Sequence, residues 1–361
     1  MPGIDAHEQE QVNVSGEKRY EEVYGDTFAM YSRKEMEEFI EPFIVRFKRN
    51  GLDASRIFNG KKCFDAGCGN GRGTLFMLMN GAEHVTSYDF CEKNIESTRK
   101  FVKDFGFDQV DTKQGTLEKI PYPDETFDFV WCNGVIMHTD HPNQCLAEIT
   151  RVLKTGGQAW LYIYGSGGVY WRIIYHLRDM LRNIPIQKTI STLKAMRYPT
   201  RYIAEFIDDW YATNLRSYTH RDLSRRLVEL GFEEPNLLNY GMDYDTSHRR
   251  NTFLSERERL LMGEGDLRYL LLKTSCEQKD KCQLEEGEYG SIYNWSDEIT
   301  AHLDPIFHGL SAKVSNTDLG KIMAAAYIQR ELRIELTESK EFDFDKVIKI
   351  LGNITAYINE L

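Results

Sequence analysis

Apolar positions along the chain change period, and each change marks a change of element. Between Tyr20 and Asn50, Met36, Phe39, Phe43 and Phe47 recur at spacings of three and four, with Ile40 and Ile44 beside them. That is the signature of one helical face, and Asn50-Gly51 stops it. Pro42 inside the run predicts a kink or a break there. From Lys62 onward the apolar runs shorten. Lys62 to Asp65, His84 to Phe90, Val110 to Gln114, Phe127 to Cys132 and Gln158 to Tyr164 read as buried strands. The segments between them, Gly73 to Met79, Cys91 to Phe105 and Pro142 to Leu153, suit helices. Such alternation predicts a parallel sheet with helices on both faces.

After Tyr164 the alternation breaks off. Gly168 to Tyr211 is helical in pattern and holds no strand candidate. Thr219 to Leu230 resumes the scheme as a helix opened by Thr219-x-x-Asp222 and closed by Gly231. Asn236 to Tyr240 and Leu267 to Lys273 are the last two strand candidates. The polar stretch 276–290 reads as a linker. Three helical patterns follow, Asp297 to Leu310, Thr317 to Leu336 and Phe344 to Leu361, the last with a continuous apolar stripe. The expected organisation is a disordered tail over 1–18, one domain over 19–275 with a helical lid at 168–213, and a helical C-terminal region over 291–361 that serves as a cap or a dimer contact.

Composition narrows the classes. A chain of 361 residues with 41% hydrophobic side chains can bury an ordinary core. Neither a membrane-spanning run nor a signal peptide is legible. Seven cysteines without a CxxC pair fit reduced thiols in a cytoplasmic protein. A net charge of −11 argues against general affinity for nucleic acid.

The chemistry concentrates at Asp65-Ala66-Gly67-Cys68-Gly69-Asn70-Gly71-Arg72-Gly73, where a strand ends, a glycine loop follows and a helix begins. Glycines let the backbone turn sharply and approach a ligand, and the helix start offers unpaired N–H groups. A dinucleotide fingerprint needs Gly or Ala three positions beyond its second glycine. Here those positions hold Arg72, Thr74 or Phe76 in the three registers, so that reading fails.

The loop resembles the first motif of class I S-adenosylmethionine-dependent methyltransferases, and the resemblance continues in order over about Tyr20 to Lys273. Its nearest branch is the ubiquinone- and menaquinone-biosynthesis type. It implies a Rossmann-like α/β fold with a seven-stranded, mostly parallel sheet whose final strand is antiparallel, a helical lid and a helical C-terminal appendage. The implied cofactor is S-adenosylmethionine, held by Asp65, Gly67, Cys68, Gly69, Asn70 and Gly71, by Asp89 and Phe90 after the second strand, by Gly115, Thr116 and Leu117 on the adenine side, and by Asn133, Gly134 and Val135. Thr116 departs from the family, in which Asp is frequent. His138 departs too: Thr139 stands beside it where a second histidine is frequent. Cys68 reads as packing.

The implied activity is methyl transfer to O, N or S of a small, anionic metabolite. The alternatives are a lipid-linked or membrane-associated acceptor and a binding protein without turnover. An amine acceptor needs no base. A hydroxyl acceptor needs one, and His138 is the candidate, although a hydrogen-bonded packing role reads equally well. Tyr20, Tyr24 and Tyr31 are placed to cover the site. In the insertion, Trp171, Ile173, Ile174, Leu177, Met180, Leu181 and Ile184 form one apolar arc. Arg178 and Arg182 lie on a basic face that would meet an acidic substrate, anionic headgroups or only solvent. No acid–histidine cluster suggests a metal, and a homodimer through the C-terminal helices is the expected assembly.

Overall fold

The computed structural model describes residues 18–238, 263–274, 305 and 317–338. The tail up to residue 17, the 276–290 linker, the helical pattern at 344–361 and, apart from residue 305, that at 297–310 lie outside these residues.

A π-helical turn over Glu21–Gly25 runs on into Asp26–Phe28 and leads to α1 (Arg33–Arg49). Ser32 opens α1 with a full capping box, its hydroxyl accepting from the Glu35 N–H while the Glu35 carboxylate accepts from the Ser32 N–H. The helix runs unbroken through Pro42, which buries its ring. A short α2 (Ala54–Phe58) then delivers the chain to β1 (Lys62–Ala66). There follow α3 (Arg72–Met79), β2 (His84–Asp89), α4 (Glu92–Asp104), β3 (Val110–Gln114), β4 (Phe127–Asn133), α5 (Pro142–Val152) and β5 (Leu153–Tyr164). β5 starts five residues before the predicted strand because Leu153 already pairs with Phe127, and an irregularity in register then carries the pairing on to Gln158 and Phe129.

The strands order as β3-β2-β1-β4-β5-β6, with β6 (Asp266–Leu272) antiparallel to β5. The described sheet therefore has six strands, where seven were expected. Of the Asn236–Tyr240 candidate, Leu237 makes a single bridge to Tyr269, and 239–240 lie outside the described residues. Chain order reverses between β1 and β4, so the loops after these two strands open a crevice at their carboxyl ends. One sheet face is closed by rings. Trp131 and Trp160 stack at 5.0 Å, Phe47 lies on Trp160 and Phe43 stands edge-on to Trp131. Each such ring contributes roughly 1.5–3 kcal/mol by burial, which anchors α1 to the sheet.

The lid consists of α6 (Val169–Leu181), α7 (Ile186–Ala195) and α8 (Thr200–Tyr211), after which α9 (His220–Glu229), capped by Thr219, returns the chain to the sheet. The apolar arc of α6 is spent inside the molecule. Trp171, Ile173, Ile174, Leu177, Leu181 and Ile184 are all buried in one cluster with residues of α7 and α8. The same cluster takes in Ile322, Ala324, Ala325, Ala326 and Ile328 of α10 (Asp318–Glu338). This part of the C-terminal region is thus a wall of the lid core, in which those five residues are buried within the same chain. No helix among the described residues is long and apolar enough to cross a membrane. The five cysteines described are free and buried.

Candidate active site

A cavity of about 230 Å³ opens at the carboxyl ends of β1, β2 and β4, roofed by the N-terminal segment and α8. Its floor is the glycine loop. Gly67 and Gly69 have φ of +80° and +56°, a region costly to any other residue. A Cβ on Gly67 would lie 2.5 Å from Val135, and one on Gly69 would lie 2.9 Å from the Phe28 ring. The loop is therefore pressed between the β4 turn and the N-terminal segment.

Asp65 and Asp89 stand on either side of this loop, both almost fully buried. One oxygen of Asp65 accepts from the Thr74 hydroxyl at 2.7 Å, and burial pushes its carboxyl up to about 7. Asp89 is more fully engaged. Its Oδ2 accepts from the Gly69 N–H at 2.9 Å, and its Oδ1 accepts from the Cys91 N–H at 2.9 Å and the Asn94 amide at 3.0 Å. Burial raises this carboxyl above the ordinary range, and those three donors oppose the rise. Asp89 thus ties the loop, the β2 end and the start of α4 together, and any ligand bond it makes is additional.

The far wall is polar. His138 closes the short turn after β4, and its Nδ1 lies 2.8 Å from the Asn214 carbonyl oxygen. A carbonyl only accepts, so Nδ1 carries a proton, and in the neutral ring Nε2 is then the nitrogen with the lone pair. That Nε2 stands 3.7 Å from Oδ1 of Asp208 on α8. Tyr24 donates its hydroxyl to Oδ1 of Asp208 at 2.8 Å, and Tyr164 donates to Oδ2 at 2.9 Å. Burial, followed by the Asp208 charge, holds both phenols well above the ordinary tyrosine range.

Most of the residues read from the sequence meet here. Asp65, Gly67, Cys68, Gly69, Asn70, Asp89, Asn133, Gly134, Val135, His138, Tyr20, Tyr24 and Tyr31 all line the cavity. Gly71 stands at the start of α3. Phe90 and the 115–117 turn lie beside the cavity wall. Phe90 is half exposed and meets the Tyr20 ring edge-on at 5.7 Å. The Thr116 hydroxyl accepts from the Glu118 N–H, and Leu117 is buried in the core. Burial raises the Cys68 thiol, whose sulfur packs 3.5 Å from the Thr98 hydroxyl.

Arg178 and Arg182 are placed elsewhere. Arg178 donates to the carbonyls of Asp209 and Ala212 at the end of α8, and Arg182 pairs with Asp179 on the surface at 3.2 Å. The lid residues that do face the cavity are Arg201, Ala204, Glu205 and Asp208. Sequence reading placed Arg201 in the basic insertion but missed Ala204, Glu205 and Asp208, although spacings of four, four and seven from Arg201 and Ala204 put them on one helical face. No group of acids, histidines and cysteines able to hold a metal occurs among the described residues.

Residues 64–161 match the family described as a methyltransferase domain. Demethylmenaquinone methyltransferase of Listeria welshimeri is 31% identical over 116 residues, which cover 32% of this chain and 49% of that protein. Ubiquinone biosynthesis O-methyltransferase of Maricaulis maris is 34% identical over 108 residues, 30% of this chain and 42% of that one. The chain thus spans about half the length of these curated relatives or less. A solved structure, the 1,6-didemethyltoxoflavin-N1-methyltransferase of Burkholderia thailandensis with bound 1,6-didemethyltoxoflavin and S-adenosylhomocysteine, is 16% identical. It covers 76% of this chain and 93% of that one at a TM-score of 0.42. The glycine loop and the bulk of the parallel strands lie within the segment 64–161 that is similar to a methyltransferase domain. Over that segment the curated relatives it resembles include a demethylmenaquinone methyltransferase and a ubiquinone biosynthesis O-methyltransferase.

Proposed function

We propose that this protein transfers a methyl group from S-adenosylmethionine to a hydroxyl of a small, ring-bearing acceptor. The cavity suits the cofactor because its floor is a positive-φ glycine turn that side chains would fill, and because the buried Asn70 amide on it lacks a protein partner. Asp65, Gly67, Gly69, Asp89, Asn133 and Gly134 would hold it. When bound, it supplies a methyl group on a sulfonium centre already reactive toward oxygen.

The observation that carries the oxygen acceptor is the fixed tautomer of His138. The Asn214 carbonyl occupies Nδ1–H and leaves the Nε2 lone pair beside the cavity, where it can take a hydroxyl proton. Asp208, 3.7 Å away, then faces the imidazolium as a counter-charge. Tyr20, Tyr24, Phe28 and Tyr164 shed water from this end and offer ring faces to a flat acceptor. One relative is named as a ubiquinone biosynthesis O-methyltransferase, which supports the same choice. An acidic acceptor is supported by Arg201 in the wall rather than by Arg178 or Arg182.

The test uses labelled S-adenosylmethionine with a panel of phenolic, enolic, amino and thiol acceptors. Methyl ethers are the expected products. His138→Ala should lower turnover by roughly 10²–10⁴ while leaving affinity for S-adenosylhomocysteine nearly intact. Products methylated at nitrogen, formed at an unchanged rate by the variant, would reject the oxygen acceptor.

A further inference from the structure

Tyr24 and Tyr164 hold one carboxylate by different oxygens, and the oxygen that Tyr24 holds is the one that faces His138. Oδ1 of Asp208 accepts from the Tyr24 hydroxyl at 2.8 Å and stands 3.7 Å from His138 Nε2, whereas Oδ2 accepts from the Tyr164 hydroxyl at 2.9 Å. A separation of 3.7 Å is too long for a hydrogen bond. A carboxylate that stops this short of a buried imidazole needs something to hold it there, because contact would favour the charged ring and complete an ion pair. The two phenols supply that hold.

Tyr24 is itself placed from outside the pair. It lies in the π-helical turn Glu21–Gly25, and Lys93 of α4 clasps that segment on both sides of it, meeting Glu21 at 2.6 Å and Asp26 at 2.8 Å. The Tyr24 ring packs on the imidazole with centroids 5.5 Å apart, and the Tyr164 ring stands edge-on to it at 5.6 Å. Other charged groups at this end are engaged with different partners. Arg178 of α6 donates to the Asp209 carbonyl, Arg216 donates to the Thr139 carbonyl, the Asp140 carboxylate accepts from the Asn214 amide, and the Asp209 carboxylate accepts from Tyr170 and Gln329. Glu205 and Arg201 line the cavity about one and two turns back along α8. Asp208 is thus the acid that acts on Nε2 among the described residues.

We infer that Tyr24 is a positioning residue that holds Asp208 off His138 and so keeps the Nε2 lone pair open to the acceptor's hydroxyl. The inference rests on the oxygen-acceptor reading above. Before transfer, the bond from Tyr24 occupies the oxygen that would otherwise pair with a protonated Nε2. Once Nε2 has taken the hydroxyl proton, the same carboxylate offsets the new charge from 3.7 Å without binding it, so the ring can release the proton again.

The test is the pH dependence of kcat/KM for the full chain, with labelled S-adenosylmethionine and the acceptor that the panel identifies. Tyr24→Phe keeps the ring that packs on His138 and frees Oδ1. Asp208 then favours the charged imidazole, so the base stays protonated to a higher pH. The acidic limb should move up by about one pH unit, lowering kcat/KM about 10-fold below it. Tyr164→Phe frees the other oxygen and should move the limb less. In an Asp208→Asn background, Tyr24→Phe should no longer move the limb at all, because its effect passes through the carboxylate. A tyrosine that only packs would lower the plateau and leave the limb in place. That result overturns the inference, as does an equal shift with and without the Asp208 carboxylate. A second measurement needs no turnover: 15N NMR of the His138 ring in the ligand-free chain, assigned with His138→Gln. An upward move of the ring's titration in Tyr24→Phe supports the inference, and an unchanged titration overturns it. Methylation of nitrogen acceptors at a rate independent of His138 would reject the oxygen-acceptor reading, while the ring titration would still decide whether Tyr24 holds Asp208 off His138.

Discussion

Asp89 shows how much one carboxylate can organise without a ligand. Three protein donors converge on its two oxygens, from the glycine loop, from the residue before α4 and from Asn94. Asp89→Ala should therefore weaken S-adenosylhomocysteine binding by about 1–3 kcal/mol, measured by calorimetry, and should also lower Tm, since the Gly69 N–H loses its acceptor. The neighbouring Asp65 gives a pH signature. Its folded carboxyl is raised to about 7 by burial, whereas an unfolded aspartate ionises near 4. Between those values the unfolded chain has released this proton and the folded one has not, so stability from this group falls as pH rises through the window. Asp65→Asn should flatten that part of the Tm-versus-pH curve, and an identical slope in both proteins would show that another group sets it. The sequence exposed both aspartates because each ends an apolar run just before a loop. It did not expose Asp208, since nothing local distinguishes an acid facing a cavity from one facing water, and the neighbouring Asp209 is buried in the lid instead. His138 was legible as a position. Its tautomer was not, because the Asn214 carbonyl that sets it lies 76 residues further on.

Elements follow the sequence closely where the cause is local. β3 runs over the predicted Val110–Gln114, and the helix starts at Ser32 and Thr219 have side chains that bond their own backbone. The misjudged features all depend on distant partners. Pro42 predicts a kink or a break in α1, but the rings of Phe43 and Phe47, fixed against Trp131 and Trp160, keep the helix continuous across the missing donor. β5 reaches back through Gly156-Gly157 because β4 offers an edge to pair with. The basic face of α6 resembled a substrate surface, yet Arg178 closes the end of α8 by donating to its carbonyls. The glycine loop allows a sharper test. Gly69 has positive φ, and the Phe28 ring lies 2.9 Å from where its Cβ would be. Gly69→Val must strain the turn and push the N-terminal segment outward, so binding of S-adenosylhomocysteine should fall below detection by calorimetry. A folded variant that binds like the wild type would remove the loop from the site.

At the scale of the whole molecule, the sheet and the lid are two cores that share the cavity between them, and α10 belongs to the second. Sequence periodicity showed a helix at 317–336 without showing its partner, because apolar residues on a helix fit a second copy of the chain as well as a neighbour in the same one. The structure gives it an internal partner. Ile322, Ala325 and Ile328 are fully buried against the lid, and the Gln329 amide donates to the Asp209 carboxylate and to the Tyr170 hydroxyl. Burial holds that carboxyl well above the usual range, so the Gln329 and Tyr170 donors help keep its charge tolerable inside the lid. Asp209 is the residue next to Asp208, so whatever loosens α10 also loosens the helix that carries the counter-charge for His138. Ile322→Asp puts an unpaired charge into this core and should cost several kcal/mol, enough to detach α10 while leaving the ring-packed sheet folded. The expected result is faster proteolysis at the C-terminal helix, a turnover loss like that of Asp208→Asn, and a 5′-methylthioadenosine affinity close to wild type, because that nucleoside needs only the glycine loop. If turnover survives after α10 has become protease-sensitive, the lid holds its shape without the C-terminal helix, and the link from Gln329 through Asp209 to the cavity is broken.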